Sequence, residues 1–225
     1  MKQALGLIGA LILSLAAAPP SAATIIGGTV TGGSAQAAGG GFVKLTPPLA
    51  NPLGPANSVG NNTFQTPNLY GFDEDQNIVL SAPLMVNVGA SPLPIGTTVA
   101  SHYVFFDPGP SQSIVGTVDF DSDVLAIITS TRNLADSDFL ANTGVNYLNP
   151  GARGLEGGDS VTISGARQIL FDAVASSPGD YVRVLTAFSP GGETVIPEPG
   201  SAALMLIGFG GVAALAARTR RRSRL

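Results

Sequence analysis

The chain has 225 residues, of which only 12% are charged, and 29 glycines and 17 prolines are spread along it. So few charges and so many helix breakers exclude a coiled coil or a helical bundle. The absence of cysteine excludes disulfides, thiolate zinc sites, iron–sulfur clusters and a cysteine nucleophile, and the single histidine, His102, excludes any site that needs two imidazoles.

The net charge of −4 is unevenly distributed. Between Thr24 and Ile196 there are fourteen acidic and five basic residues, a local charge of −9, whereas five arginines stand among the last eight residues. The central region should therefore repel nucleic acid and anionic membrane surfaces, and we expect no nucleic-acid partner. A cation or a neutral carbohydrate is a more natural ligand.

Residues 1–23 have the pattern of a signal peptide. A short positive start precedes an apolar run over residues 4–18, which Pro19 and Pro20 end before the small residues Ser21, Ala22 and Ala23. We predict export through the Sec translocon and cleavage by signal peptidase after Ala23. The alternative is a retained membrane helix, which the short run and the two prolines disfavour.

Residues 24–68 are rich in Gly, Ala, Ser, Thr, Asn and Pro. Ile25–Ile26 and Phe42–Leu45 favour short strands, but the rest does not favour any regular element. We expect loops and short strands at the rim of a domain here, with partial disorder favoured near residues 27–41.

Residues 69–194 contain short runs of Val, Ile, Thr, Phe and Tyr between turn residues, a pattern typical of strands. In the last run, Val182, Val184 and Thr186 alternate with Tyr181, Arg183 and Leu185 and so should lie on opposite faces. We predict an all-β single domain, an antiparallel β-sandwich or jelly roll, with one helical turn over Leu134–Leu140. The predicted strands are 77–80, 85–88, 97–106, 114–120, 124–130, 160–163, 168–173 and 181–187.

Two acidic clusters are candidate metal sites. Asp119, Asp121 and Asp123 would share one face of an extended chain, and Asp73 and Asp75 belong to a second oxygen-rich group. Calcium would relieve the repulsion between such carboxylates, although neither cluster matches an EF-hand loop. The alternative, which we favour, is that residues 121–123 are the turn of a hairpin between the flanking strands, with carboxylates capping amides.

The remaining candidates carry weaker signals for catalysis. His102 lies in a β-branched and aromatic run, where a strand residue with one satisfied ring nitrogen is a better interpretation than a general base. The four tyrosines are expected in the core rather than on a sugar-stacking platform. The Arg153–Asp159 stretch is interpreted as a surface loop with a local ion pair. We predict no catalytic residues and no cofactor other than calcium.

The C-terminus has three consecutive parts. Pro197, Glu198 and Pro199 form a rigid, extended segment, because proline fixes φ and disfavours helix in the residue before it. Residues 201–217 are uncharged and, as a helix of about 26 Å, can just span a bilayer. Arginines then hold the C-terminus in the cytoplasm and the body outside. These membrane-stop residues are Arg218, Arg220, Arg221, Arg222 and Arg224.

This tail, residues 195–225, resembles a PEP-CTERM sorting signal, which combines a Pro-Glu-Pro motif, a hydrophobic span and an arginine-rich end. The resemblance implies recognition by an exosortase, removal of the tail, and delivery to the cell surface or to an exopolysaccharide matrix. The alternative is a permanent single-pass anchor. We therefore expect a non-enzymatic structural or adhesive protein with a carbohydrate-binding role, or alternatively a secreted hydrolase of matrix polysaccharide.

Overall fold

The computed structural model describes residues 23–187. The predicted signal peptide up to residue 22, the segment 201–217, the Pro-Glu-Pro motif and the terminal arginines lie outside the described residues. No helix within residues 23–187 is long and apolar enough to cross a membrane.

The described residues are mostly β-strand, as predicted. Two short α-helices, α1 (Gly33–Ala37) and α2 (Thr131–Asp136), and 3₁₀ turns at Asp138–Leu140 and Pro150–Ala152 accompany the strands. The strands are β1 (Ile25–Gly32), β2 (Phe42–Lys44), β3 (Ser58–Val59), β4 (Leu69–Asp73), β5 (Ile78–Val79), β6 (Val88–Gly89), β7 (Thr98–Phe106), β8 (Gln112–Phe120), β9 (Val124–Ile128), β10 (Asn146–Tyr147), β11 (Ser160–Gly165), β12 (Gln168–Ala175) and β13 (Asp180–Ala187).

Two main sheets form the body. The first has the order β1-β8-β12-β11, and the second has the order β2-β4-β7-β13-β9-β6, with β5 added beside β7. Most pairs are antiparallel, but β2 runs parallel to β4, and β10 pairs in parallel with β3 as a separate ribbon. The first sheet is antiparallel throughout, whereas the second sheet is mixed, which corrects the purely antiparallel prediction.

The second sheet is covered on both faces. One face shares a hydrophobic cluster with the first sheet, to which Val182 and Val184 contribute from β13. Tyr181 and Leu185 lie in another cluster on the opposite face, together with apolar side chains from the connecting segments. The predicted alternation along β13 is confirmed, and β13 is buried on both sides because each of its faces has its own core.

The N-terminal region is more regular than its composition suggests. β1 extends through two glycines to Gly32 and pairs with β8, and α1 follows directly. Close packing explains why glycine stands at position 28, because a Cβ on Gly28 would lie only 2.6 Å from the Phe42 ring and from the Thr117 carbonyl oxygen. The disorder expected near residues 27–41 is therefore not observed, whereas strands are present where Ile25–Ile26 and Phe42–Leu45 favoured them.

The predicted hairpin at residues 121–123 is also wrong. β8 belongs to the first sheet and β9 to the second, so these residues connect two sheets instead of two paired strands. Local sequence could not reveal this, since a tight hairpin turn and a short crossover use the same residue types.

Candidate functional site

An open cleft of about 530 Å³ lies where β1, β8 and β12 meet at one end of the first sheet. Asp119 on β8 pairs with Gly27 on β1 and with Gln168 on β12, which brings the three strands together at this point. The Gln168 amide donates a hydrogen bond of 2.7 Å to Asp119. The cleft is lined by Ile26, Gly27, Asp119, Phe120, Asp121, Arg167 and Gln168.

A polar cluster, formed by Thr24, Lys44, Asp73 and His102, joins the two sheets on the Asp121 side of this cleft. His102 Nδ1 lies 2.8 Å from Asp73 Oδ1, and its Nε2 lies 3.0 Å from the Thr186 hydroxyl. The Lys44 ammonium lies 2.8 Å from Asp73 Oδ2 and also contacts the Thr24 hydroxyl. Asp73 therefore interacts with three different elements through one carboxylate.

Asp73 is held ionised by these partners. Burial opposes its charge most strongly, but the hydrogen bond and charge of His102 and the hydrogen bond from Lys44 together outweigh it, so the pKa of Asp73 lies well below its ordinary value. His102 and Thr186 are themselves completely buried. The Asp73–His102–Thr186 chain thus has the connectivity of a catalytic triad, but the Thr186 hydroxyl is not exposed to a substrate. His102 is a strand residue as expected, although both of its ring nitrogens, instead of the one expected, have partners.

Most of the predicted calcium ligands form hydrogen bonds or ion pairs with other residues of the protein. Asp119 accepts from Gln168, Asp121 accepts from the Thr24 main-chain nitrogen, and Asp123 pairs with Arg167 at 3.1 Å. Asp75 is half-buried after β4, where burial and the charge of Glu74 raise its pKa. Within residues 23–187, no three His, Asp or Glu side chains are arranged to hold a metal ion. The geometry does bring Asp73 and Asp121, from the two separate clusters, to the same residue, Thr24.

A buried ionic network on the other face of the second sheet was missed by sequence reasoning. Arg183 Nε and Nη2 donate to the two Glu74 oxygens at 2.7 and 3.0 Å, and both side chains are fully buried. Ser101 and Tyr147 each donate a 2.6 Å hydrogen bond to Glu74. Burial opposes the charge on Arg183, but Glu74 outweighs it and raises the pKa of Arg183. The sequence signal for this network was the alternation along residues 181–187, which placed Arg183 on this face.

The same network corrects the interpretation of Arg153. Instead of pairing locally in a surface loop, Arg153 is 2% exposed and donates two 2.8 Å hydrogen bonds to Asp138. Asp138 also lies 3.4 Å from Arg183, so the ion pairs are continuous. The partners are fifteen residues apart in sequence, which no local pattern could have joined.

Two further buried aspartates flank the junction of β7 and β13. Burial raises the pKa of Asp107 to about 6, against hydrogen bonds from backbone amides such as that of Phe64. Burial, with the charges of Asp159 and Glu156, raises the pKa of Asp180 to about 7. Asp180 Oδ2 has no hydrogen-bond partner among the described residues.

Comparison with known proteins identifies the C-terminal segment. A family model described as the PEP-CTERM protein-sorting motif matches residues 195–222. The chain carries a PEP-CTERM sorting signal. Neither the curated proteins nor the solved structures include a significant match to the chain. The PEP-CTERM match confirms the resemblance found in the tail and indicates an exported, membrane-anchored precursor that an exosortase processes.

Proposed function

We propose that this PEP-CTERM protein is exported and loses its leader to signal peptidase. An exosortase then removes its C-terminal tail, and the protein becomes a structural or adhesive component of the cell surface or of an exopolysaccharide matrix. The single observation that carries the proposal is the sorting motif at residues 195–222. The β-rich body between the leader and the tail is, in this proposal, a sandwich-like module that stays outside the cell.

The sorting step is tested with the full chain in cells that possess or lack the exosortase. We expect the wild-type protein to lose its tail and reach the surface or matrix only when the enzyme is present. Glu198→Ala should retain the tail and the membrane location, whereas the control Glu193→Ala, five residues upstream, should be processed normally. A wild-type surface protein whose mass still includes residues 201–225 would contradict the proposal.

The cleft supports a neutral carbohydrate as the ligand of the body. Its polar lining combines a carboxylate, a carboxamide and a guanidinium, from Asp119, Gln168 and Arg167, and such groups can hydrogen-bond sugar hydroxyls. The charge of −9 in the central region disfavours strongly anionic glycans.

A glycan array followed by calorimetry on the best ligand tests this binding. Asp119→Ala should weaken binding at least tenfold. Asp172→Ala, an exposed aspartate on β12 outside the cleft, serves as the control. Unchanged affinity in the Asp119 variant would place the ligand elsewhere on the surface.

The alternative of a secreted hydrolase has one observation in its favour. Asp119 and Asp121 both line the cleft, and glycoside hydrolysis requires two carboxyl groups that face one sugar. Incubation of the protein with matrix polysaccharide should then release reducing ends, and Asp119→Asn or Asp121→Asn should abolish the release. Binding without release supports the adhesive function.

A further inference from the structure

The main chain at Thr24 is held by two carboxylates that come from different parts of the fold. Its nitrogen donates to Asp121 Oδ1 at 2.9 Å, and its hydroxyl donates to Asp73 Oδ2 at 2.7 Å. The next nitrogen, of Ile25, donates to Asp73 Oδ1 at 2.9 Å, and the Asp121 nitrogen donates back to the Thr24 carbonyl at 3.0 Å. Thr24 is thus fixed in position before β1 begins.

Thr24 is also the first residue that remains after the predicted cleavage. Hydrolysis adds water across the Ala23–Thr24 amide, so that Ala23 leaves as a carboxylate and the Thr24 nitrogen becomes an ammonium group. The atom that donates to Asp121 as an amide then carries a positive charge and two more hydrogens. The hydrogen bond to the Asp121 carboxylate is already charge-assisted, and the positive charge on the donor turns it into an ion pair.

We infer that Asp121 binds the α-ammonium group of the mature chain, while Asp73 holds the Thr24 hydroxyl beside it, so that leader removal creates a new ion pair that stabilises the exported body. The inference rests on the proposed export and leader cleavage. It assigns to the first residue of the mature protein a role that the uncleaved precursor cannot fulfil.

The charges around Thr24 agree with this assignment. Among residues 23–187, the carboxylates of Asp73 and Asp121 and the ammonium group of Lys44 contact Thr24, so a positive charge on the Thr24 nitrogen would lie beside two negative charges and one positive charge. Lys44 opposes the new charge, but it is bound to Asp73 Oδ2, whereas the Thr24 nitrogen is directed at Asp121. The two carboxylates therefore serve two cations from different directions.

The test uses the full chain, exported and purified, with one Asn inserted between Ala23 and Thr24 as the comparison. The insertion displaces the ammonium group by one residue and leaves a neutral amide at Thr24. We expect the inserted chain to melt about 2 to 6 °C below the wild type. In Asp121→Asn this difference should largely disappear, and in the control Asp123→Asn, an exposed aspartate two residues away, it should persist.

The pH dependence separates an ion pair from a merely steric effect of the insertion. Ion pairing raises the pKa of the α-amino group above its ordinary value of about 7.7 to 8.0, so its stabilisation is complete below that value and is lost as pH rises through the raised pKa. The difference in melting temperature should shrink between about pH 8 and pH 10. Among residues 23–187, the charged or titratable groups that contact Thr24 or its partners are Asp121, Asp73, Lys44 and His102, and Asp119 and Arg167 line the same cleft as Asp121.

Mass spectrometry of the mature protein distinguishes the two levels of the hypothesis. A chain that starts at Thr24 but melts at the same temperature as the inserted chain overturns the ammonium site and leaves export intact. A chain that starts elsewhere contradicts the predicted cleavage and the inference with it. If Asp121→Asn fails to fold, the rate of acylation of the α-amine is measured instead. Acylation should be several-fold slower in the wild type than in the inserted chain. Equal rates overturn the inference.

Discussion

Arg183 and Glu74 form an ion pair in which neither side chain is exposed to solvent. Arg183 lies on β13, and Glu74 follows β4, so the pair connects two strands that are not neighbours in their sheet. Ser101 and Tyr147 complete the hydrogen bonding of Glu74, and Ser137 accepts a 2.6 Å hydrogen bond from Arg183. A charge pair this well satisfied can be kept in a core, but each partner depends on the other.

Arg183→Met should destabilise the body strongly, because it leaves the Glu74 carboxylate buried without its cation. We expect a loss of about 3 to 5 kcal/mol in the free energy of unfolding measured with urea. Arg167→Met, which removes the exposed pair with Asp123, should change it by less than about 0.5 kcal/mol. Adding Glu74→Gln to Arg183→Met should recover part of the loss, and equal effects of the two arginine substitutions would contradict the role of the buried pair.

Asp73→Asn should weaken the body at neutral pH and have less effect in acid. The pKa of Asp73 is lowered by folding, so its contribution is present above the unfolded value of about 3.8 and is lost as pH falls through the folded pKa. We expect a loss of about 2 to 4 kcal/mol at pH 7 in chemical unfolding. The difference from wild type should narrow below about pH 4. A constant difference down to pH 2 would show that the charge is not responsible.

Asp180→Asn should have the opposite pH dependence. Folding raises the pKa of Asp180 from 3.8 to about 7, so wild-type stability should decrease as pH rises between these values and then level off. The neutral amide should remove the Asp180 contribution to this decrease and raise the melting temperature at pH 8, whereas the raised pKa of Asp107 should keep a smaller decrease up to about pH 6. Asp172→Asn, an exposed aspartate on β12, should leave the decrease in place. An unchanged pH profile in Asp180→Asn would assign the titration to another group.

Calcium should leave the melting temperature of the purified protein unchanged at millimolar concentration. Four of the five carboxylates proposed as ligands have protein partners, and among residues 23–187 no three His, Asp or Glu side chains are arranged to hold a metal ion. Thermal melting with calcium or with a chelator checks this. A calcium-dependent rise that Asp121→Asn abolishes would show that a metal binds at the cleft.

Local patterns predicted the strands well where both periodicity and burial were strong. The alternation over residues 181–187 identified the two faces of β13, and β7, β8 and β12 have nearly the predicted bounds. Two strands were predicted poorly, because β4 was missed and only Val88 of the predicted strand 85–88 lies in a strand. The other failures concern pairing. Gly28 suggested a loop, but β1 is stabilised by its ladder with β8, about ninety residues away in sequence.

The sequence predicted several residues of the candidate site but not the contacts between them. His102, Asp73 and Asp121 were singled out from the sequence, but their partners could not be, because Thr24, Lys44 and Thr186 come from distant strands. The Arg183–Glu74 pair is separated by 109 residues and was invisible for the same reason. A sequence shows which polar groups need hydrogen-bond or ion-pair partners, and the tertiary fold determines which residues provide them.

β13 has a mechanical consequence for a protein that is held at its C-terminus. The strand ends at Ala187, and the PEP-CTERM signal follows at residues 195–222, so β13 is the first described element along the chain from that end. Hydrogen-bond ladders to β7 and β9 flank the strand on both sides. Force along its axis must therefore shear both ladders together instead of peeling an edge strand away.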